Sequence, residues 1–199
     1  MINAPLLVEE RDVRAVARQM RTQWIGRGFH VRFLEILMAR WVRARYAVAL
    51  GSGTAALTAA FAFLPGSTVH VHLPVCNAVY VALALARKRI SQRSKTRLTV
   101  YPERGGDIED YARHLPKWNE SKLRGRYGVF SFGALKDVTG GIGGCLVSNT
   151  PFLSSIEYWK RVSPLSDINA ALILSQLERY KGHHKARRVA DGKLWIPPA

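Results

Sequence analysis

Residues 46–64 read YAVALGSGTAALTAAFAFL, and this stretch determines the fold that we expect. Tyr46–Leu50 is a short run of strand-forming residues, and Thr54–Leu64 is rich in alanine and other helix formers. Gly51–Gly53 lies between them as a tight turn, and Pro65 ends the helical run. The segment therefore predicts a strand, a glycine turn and a helix in direct succession.

The rest of the chain continues this alternation. We predict further strands at Thr68–Leu73, Leu98–Tyr101, Tyr127–Phe132 and Cys145–Ser148, and further helices at Ala78–Lys88 and after Ser166, which suits an N-cap. The segments predicted to be loops, turns or irregular are Arg89–Arg97, Pro102–Gly106 and Arg113–Arg126. Alternating strands and helices predict an α/β domain with a mostly parallel sheet flanked by helices.

Two apolar stripes precede this unit. The first consists of Val13, Val16, Ala17, Met20 and Trp24, and the second of Leu34, Leu37, Met38 and Trp41. Residues at these spacings lie on one face of a helix, so both stripes are predicted to pack against other parts of a protein.

The size and charge of the chain limit what it can be. With 199 residues, 48% of them hydrophobic, it is long enough for one domain with a sizeable core, and a second large domain is not expected. The net charge of +16 attracts polyanions such as nucleic acid, anionic membranes or phosphorylated substrates. Modest basic clusters occur at Arg87–Arg97 and Lys181–Arg188, and either a solvated basic surface or a nucleic-acid face would explain them.

Other classes of protein and site have little support. Cys76 and Cys145 are far apart and form no metal or redox motif, so we expect two free, buried thiols in a reducing cytosol. His70 and His72 share one face of a predicted strand, but no third ligand is evident and no metal site is predicted. The N-terminus lacks a signal peptide, and the longest apolar run is too short to span a bilayer, which predicts a soluble, cytoplasmic protein.

Three short motifs could carry chemistry. The turn Gly51–Thr54 opens a helix, where exposed amides and the helix dipole suit a phosphate, although a plain strand-to-helix turn is an equal reading. Lys136 follows Ser131, the last polar residue of a predicted strand, by five positions. A desolvated lysine there could form a Schiff base, but an exposed loop lysine is the simpler alternative. The pair Glu109-Asp110 could hold a pyridine nitrogen protonated.

The order of these motifs resembles that of the DegT/DnrJ/EryC1/StrS sugar aminotransferase family, which depends on pyridoxal 5'-phosphate (PLP). The matching elements are Ser52-Gly53-Thr54, Glu109-Asp110, Phe130-Ser131-Phe132 with Lys136, Gly143-Gly144, and Ala170-Ala171 with Gln176-Leu177. The likeness touches most of the chain from about Trp24 to Arg188. It implies the large domain of a type I PLP-dependent transferase.

Several site roles follow from the resemblance. It implies that Lys136 forms the Schiff base with PLP and moves a proton during catalysis, and that Asp110 pairs with the pyridine nitrogen. The implied phosphate cradle consists of Gly53, Thr54, Ala55 and Ser131. The family transfers an amino group, usually from glutamate, to a keto-sugar nucleotide. Its members are homodimers, and Leu34–Trp41 is a candidate interface unless it packs in its own core.

The sequence also departs from the family pattern. Ala78 stands where the family has an aromatic that stacks on the cofactor, Arg113 replaces a glutamine, and Ile142 replaces a glutamate. Two connecting segments are shorter than in the family, and we expect its small C-terminal domain to be missing, so that residues 1–199 form one shortened domain. Two hypotheses follow: a PLP-dependent aminotransferase, or a non-catalytic relative that serves as a binding or interaction module, for example for polyanions.

Overall fold

A computed structural model of the chain describes residues 8–72, 74–100, 106–118 and 121–182. Its helices are α1 (Glu10–Arg21), α2 (Phe29–Trp41), α3 (Gly53–Phe63), α4 (Asn77–Leu85), α5 (Ile156–Val162) and α6 (Asp167–Gly182). Its strands are β1 (Tyr46–Leu50), β2 (Thr68–Val71), β3 (Arg89–Ile90), β4 (Arg97–Val100), β5 (Ile108–Asp110), β6 (Tyr127–Ser131) and β7 (Gly144–Ser148).

The strands form one seven-stranded sheet in the order β1-β7-β6-β5-β4-β2-β3. Strands β2 to β6 are parallel to their neighbours, whereas β7 is antiparallel to both β1 and β6. Strand β1 therefore runs in the same direction as the parallel set. The predicted α/β class with a mostly parallel sheet is confirmed, and the carboxyl ends of six strands share one edge.

Helices cover both faces of this sheet. One core lies between the sheet and helices α2 and α6 and contains Trp41, Phe130 and Leu177. The other lies under α3, α4 and α5 and contains Phe61, Leu98 and Leu146. Alternate residues of β6 serve opposite cores, since Val129 belongs to the second and Phe130 to the first, as the two-residue period of a strand requires.

The second apolar stripe packs inside the protein. Leu34, Leu37, Met38 and Trp41 of α2 are all buried in the chain's own core. Its predicted packing role is confirmed, and the alternative that this stripe forms a dimer interface is wrong, because its side chains are already covered.

The first apolar stripe was assigned to the wrong face of α1. Val13, Met20 and Trp24 are each more than half exposed, and the buried residues of this helix are Asp12 and Gln19. Asp12 accepts hydrogen bonds from Ser175 Oγ and Arg179 Nη2 of α6, each at 2.5 Å. A buried polar network thus docks α1, and Val13 and Met20 face outwards, whereas Val16 and Ala17 are half-buried.

Three further expectations need correction. Arg89-Ile90, in a predicted loop, pairs with β2, and only residues 91–96 connect β3 to β4. Helix α5 and strand β5 lie in segments for which no element was predicted. Cys76 is exposed at the start of α4, whereas Cys145 is buried as expected.

Some expectations cannot be compared with the structure. Most of Pro102–Gly106 and of Lys181–Arg188 lies outside the described residues, as does Leu73. The described parts of Arg113–Arg126 contain neither helix nor strand, as predicted. Within the described residues, no helix combines the length and the apolar character needed to cross a bilayer.

Candidate functional site

The start of α3 lies against the carboxyl end of β6. A Cβ atom at Gly53 would come within 2.6 Å of Ser131 Cβ, so only glycine allows this approach. Ser52 caps the helix, because its Oγ accepts a hydrogen bond from Ala55 N at 3.0 Å. Thr54 and Ala55 are half-buried in the first turn. The predicted cradle residues therefore meet at one edge of the sheet.

The glycine-rich turn before β7 closes one side of this edge. Gly143 has a φ of +140°, a backbone conformation that disfavours any side chain. It forms an isolated parallel β-bridge with Ser52. A Cβ atom at Gly144 would lie 2.3 Å from the carbonyl oxygen of Ser52. Small residues are required here because two backbone segments pass in direct contact.

Asp110 ends β5 at the same edge and is 7% exposed. Its Oδ1 accepts a hydrogen bond from Ala112 N at 2.8 Å, and within the described part of the chain its Oδ2 accepts none. Burial raises the pKa of Asp110, while the bond from Ala112 and the positive charge of Lys136 oppose that shift. A buried carboxylate with an oxygen still available suits a cationic ligand.

Glu109, the other residue of the predicted acidic pair, stabilises the backbone around it. It is fully buried, and its Oε1 accepts hydrogen bonds from the amides of Arg124 and Gly125 at 3.0 and 2.6 Å. Tyr111 donates its hydroxyl to Glu109 Oε2 at 2.5 Å. These bonds fix the loop before β6 and the strand end that carries Asp110.

Lys136 lies in a turn just beyond β6, where its amide donates to Gly133 O at 3.0 Å. The residue is half-buried, and it lines a small recess together with Tyr111, Ser131 and Phe132. Its charge acts on Asp110. All six residues predicted for the site, namely Gly53, Thr54, Ala55, Asp110, Ser131 and Lys136, thus lie at the carboxyl edge of the sheet.

Asp137 links the turn that contains Lys136 to the loop that follows Asp110, and the sequence did not reveal this link. Its Oδ2 accepts a hydrogen bond from Leu115 N at 3.2 Å and lies 3.2 Å from His114 Nδ1. Tyr180 of α6 donates to Leu115 O at 2.9 Å. Asp137 is adjacent to Lys136 in sequence, which was the one available hint.

The pair of His114 and Asp137 predicts a pH effect on stability. The hydrogen bond to Asp137 raises the pKa of His114 above its usual 6.5, and partial burial opposes the rise. The stabilisation is therefore complete below about pH 6.5 and is lost as the pH rises through the higher folded pKa. We expect His114→Gln to lower the Tm more at pH 5.5 than at pH 8.5, measured by thermal unfolding; an equal loss at both values would contradict this.

Gln176 is a second positioning residue whose role the sequence did not show. It is fully buried, and its Oε1 accepts a hydrogen bond from Thr139 N at 2.8 Å. Thr139 Oγ1 in turn accepts from Gly141 N at 2.8 Å. The sequence held one indication of this role, because Gln176 lies between Ile173 and Leu177, two apolar residues that are buried on the same face of α6.

The residues that depart from the family pattern lie on the surface or close to it. Arg113 is exposed beyond β5, and Ile142 is 56% exposed in the glycine-rich turn. Ala78 is half-buried in the first turn of α4, and nearby Tyr80 is 45% exposed.

His70 and His72 do lie together, with ring centroids 4.8 Å apart. His70 Nδ1 is 3.0 Å from Gln92 O. Among the residues that the structure describes, no group of three or more His, Cys, Asp or Glu side chains is placed to hold a metal ion.

Comparison with a family model supports the resemblance seen in the sequence. Residues 7–70 match the model of the DegT/DnrJ/EryC1/StrS aminotransferase family. This stretch includes α1, α2, β1 and α3, and with them the predicted phosphate turn. No curated protein matches the sequence.

Solved structures of aminotransferases share the fold. Helicobacter pylori PseC, an aminotransferase of pseudoaminic acid biosynthesis, matches with a TM-score of 0.73 and 17% identity over 90% of this chain and 65% of its own. The PLP form of Spr1654, a sugar aminotransferase of Streptococcus pneumoniae, matches with a TM-score of 0.73 and 17% identity, over 92% of this chain and 67% of its own. The aminotransferase TlmJ of Streptoalloteichus hindustanus matches with a TM-score of 0.75 and 20% identity, over 92% of this chain and 66% of its own. The chain thus spans about two thirds of their length.

Proposed function

We propose that this chain binds PLP at the carboxyl edge of its sheet, with Lys136 as the attachment residue, and that it acts as an aminotransferase-like protein on a keto-sugar nucleotide. The observation that supports this most directly is a buried carboxylate, Asp110, at the carboxyl end of β5, on the same sheet edge as the turn that contains Lys136. Lys136 lines a recess together with Ser131, which contacts Gly53, and Asp110 pairs in register with Val129, two residues before Ser131.

The start of α3 fits the phosphate of the cofactor. Amides in the first turn of a helix have no acceptor within the helix, and the dipole favours an anion there. Because Ser52 already accepts the amide of Ala55, the donors best placed for a phosphate are the amides of Gly53 and Thr54. The hydroxyl groups of Thr54 and Ser131 would complete the cradle.

Asp110 fits the pyridine nitrogen. Its pKa is raised because burial removes water from the carboxylate, and a protonated ring nitrogen would offset that cost. PLP, when bound, supplies an electron sink that stabilises a carbanion next to the amino group. Asp110 would keep the ring nitrogen charged, and Lys136 Nζ would bind the aldehyde carbon and later carry a proton.

The environment of Lys136 suits such a role. The residue is half-buried, so part of its hydration is lost, and its backbone is held in a turn by Gly133 O. Two residues that follow Lys136 are also held in place. Asp137 accepts a hydrogen bond from the amide of Leu115, and the amide of Thr139 donates to Gln176. A lysine positioned by its neighbours loses less entropy on reaction than one in a free loop.

The substrate part of the proposal rests on the resemblance and on the solved relatives. The relatives named above are aminotransferases, and Spr1654 is a sugar aminotransferase. We infer a sugar nucleotide as acceptor and an amino acid such as glutamate as donor. Arg113, Ile142 and Ala78 replace family residues near the cofactor, so cofactor affinity is expected to be weaker than in those enzymes.

Borohydride trapping tests the proposal without depending on turnover. Purified protein is mixed with PLP, reduced with borohydride, digested and mapped by mass spectrometry. The proposal expects an absorbance change on mixing and a phosphopyridoxyl label concentrated on Lys136. Label spread over many of the lysines would instead favour the alternative function, a non-catalytic binding module.

We also propose that the chain forms a homodimer through the outer faces of α1 and α2. The apolar side chains exposed there by about half or more are Val13, Met20, Trp24, Ile25, Phe29, Phe33 and Ile36. The rings of Phe29 and Phe33 are stacked, 6.3 Å apart. An apolar surface of this kind usually faces a partner, and a second copy is the partner implied by the resemblance.

Sedimentation velocity tests the dimer. The double variant Phe29→Ser/Phe33→Ser is expected to sediment as a monomer at micromolar concentration, whereas the unchanged chain sediments as a dimer. Val81→Ser/Leu85→Ser is the matched control, because these side chains are 48% and 67% exposed on α4. A monomeric unchanged chain, or equal dissociation in both variants, would disprove this interface.

A further inference from the structure

The amino edge of the sheet, opposite the proposed PLP site, carries a row of arginines. Arg45 immediately precedes β1 and Arg126 immediately precedes β6, while Arg89 and Arg97 are the first residues of β3 and β4. Four of the six strands that run in one direction therefore begin at an arginine. We call these four residues the arginine row.

The arginine row is exposed and largely uncompensated. All four side chains are exposed, and so are the flanking basic residues Arg43, Arg87, Lys95, Lys122 and Arg124. Among the described residues, Asp107, just before β5, is the one acidic residue at these strand starts, and its Oδ1 lies 3.5 Å from Arg126 Nε. In the described part of the chain, Arg45, Arg89 and Arg97 form no salt bridge.

Not every basic side chain of this edge belongs to the row. Lys88 directs its ammonium group at the carbonyl oxygens of Leu64 and Gly66, and therefore closes the end of α3. Within the described residues, the side chains of Arg45, Arg89 and Arg97 make no such contact, so their charge is available to a ligand, while Arg126 shares its charge with Asp107.

The row is long enough to follow an extended polyanion. Strands in a sheet lie about 4.8 Å apart, so the edge from β1 to β3 extends over about 29 Å. A nucleic-acid duplex carries one negative charge per about 1.7 Å of its axis, and arginine is the side chain that binds phosphate in a bidentate manner.

We propose that the arginine row binds the phosphate backbone of double-stranded nucleic acid. A single strand would be bound through stacking on aromatic rings, but Tyr127 is buried and the ring of Tyr46 packs against Phe152. An anionic membrane surface would be bound more firmly with several apolar side chains that insert, and among the described strand starts Tyr46, 38% exposed, is the one large apolar side chain that is exposed. The row lies at the edge opposite Lys136, so duplex binding is independent of the proposed cofactor.

Fluorescence anisotropy with a labelled 20-base-pair DNA and a matched RNA duplex tests the proposal. The unchanged protein is expected to bind at 50 mM salt, with an affinity that falls steeply as salt rises. Arg45→Gln/Arg97→Gln/Arg126→Gln should weaken binding at least tenfold and reduce the salt slope by about 2 to 3, because each lost phosphate contact removes about 0.9. The two duplexes show whether DNA or RNA is preferred.

The matched control removes the same charge elsewhere. Arg14→Gln/Arg21→Gln/Arg32→Gln changes three exposed arginines of α1 and α2. Once sedimentation velocity shows that its oligomeric state is unchanged, this variant should alter duplex affinity by less than threefold. Equal losses in both triple variants would overturn the proposal, as would the absence of duplex binding at 50 mM salt. Tighter binding to a single strand of equal length, or to phosphatidylserine vesicles, would also overturn it.

Discussion

Replacing Lys136 with alanine should abolish the site-selective label that borohydride leaves after incubation with PLP. The amine of Lys136 is the only group proposed to attack the aldehyde, so its loss removes the attachment itself rather than weakening it. We expect at least a tenfold fall in incorporated label at equal PLP concentration, measured by peptide mapping. The absorbance change on mixing should disappear with it.

A matched lysine separates this effect from chance labelling. Lys160 of α5 is half-buried like Lys136 and pairs with Glu157 at 2.7 Å. Lys160→Ala should leave the label on Lys136 unchanged. A Lys136→Ala protein that retains the full label would show that surface lysines react indiscriminately, and the proposed cofactor site would be wrong.

A change at Asp110 distinguishes attachment from chemistry. Because burial raises the pKa of this carboxyl, the charged form is disfavoured in the folded protein, so Asp110→Asn should unfold at the same temperature or higher. The variant should still be labelled on Lys136. It should lose amino transfer if the unchanged chain has any, because the ring nitrogen would lose its charged partner.

Replacing Asp12 with alanine should produce the largest loss of stability among single changes outside the core. Asp12 is fully buried, and its carboxylate accepts hydrogen bonds from Ser175 and Arg179 at 2.5 Å. Removing it takes one carboxylate away from the guanidinium of Arg179, which is 7% exposed and also pairs with Glu9. We expect a loss of about 3 kcal/mol in the free energy of unfolding, measured by urea denaturation.

Two variants make this prediction specific. Arg14→Ala removes an exposed arginine of the same helix, which pairs with Glu10 at 3.8 Å, and should cost less than about 0.5 kcal/mol. Asp12→Leu/Arg179→Met should recover much of the stability, because replacing a buried ion pair with apolar groups is often neutral. A loss below about 1 kcal/mol for Asp12→Ala would show that the network does not dock α1.

The sequence by itself determined the elements whose signal is local. The run from Tyr46 to Leu64 predicted β1, its glycine turn and α3, because strand formers, glycine and alanine act within a few residues of one another. The order of Ser52-Gly53-Thr54, Glu109-Asp110 and Lys136 indicated the family, and residues 7–70 match its model. The buried stripe of α2 followed from periodicity alone.

Only the tertiary structure decided which faces and edges meet. Periodicity placed Val13 and Met20 on one side of α1, but the helix docks by Asp12, because a buried ion pair with Arg179 is a contact between residues far apart in sequence. Strand β3 is two residues long, too short for a pattern, and forms because β2 offers it hydrogen bonds.

Contacts between residues far apart in sequence also decided both candidate sites. The resemblance predicted that Asp110 and Lys136 belong to one site, but only the structure shows the strand pairing that brings both to one edge and the link through Asp137. Arginines at positions 45, 89, 97 and 126 have no common spacing, so no pattern joins them. They form a row because parallel strands all begin at the same edge of a sheet, and strand order is set by non-local pairing rather than by neighbouring residues.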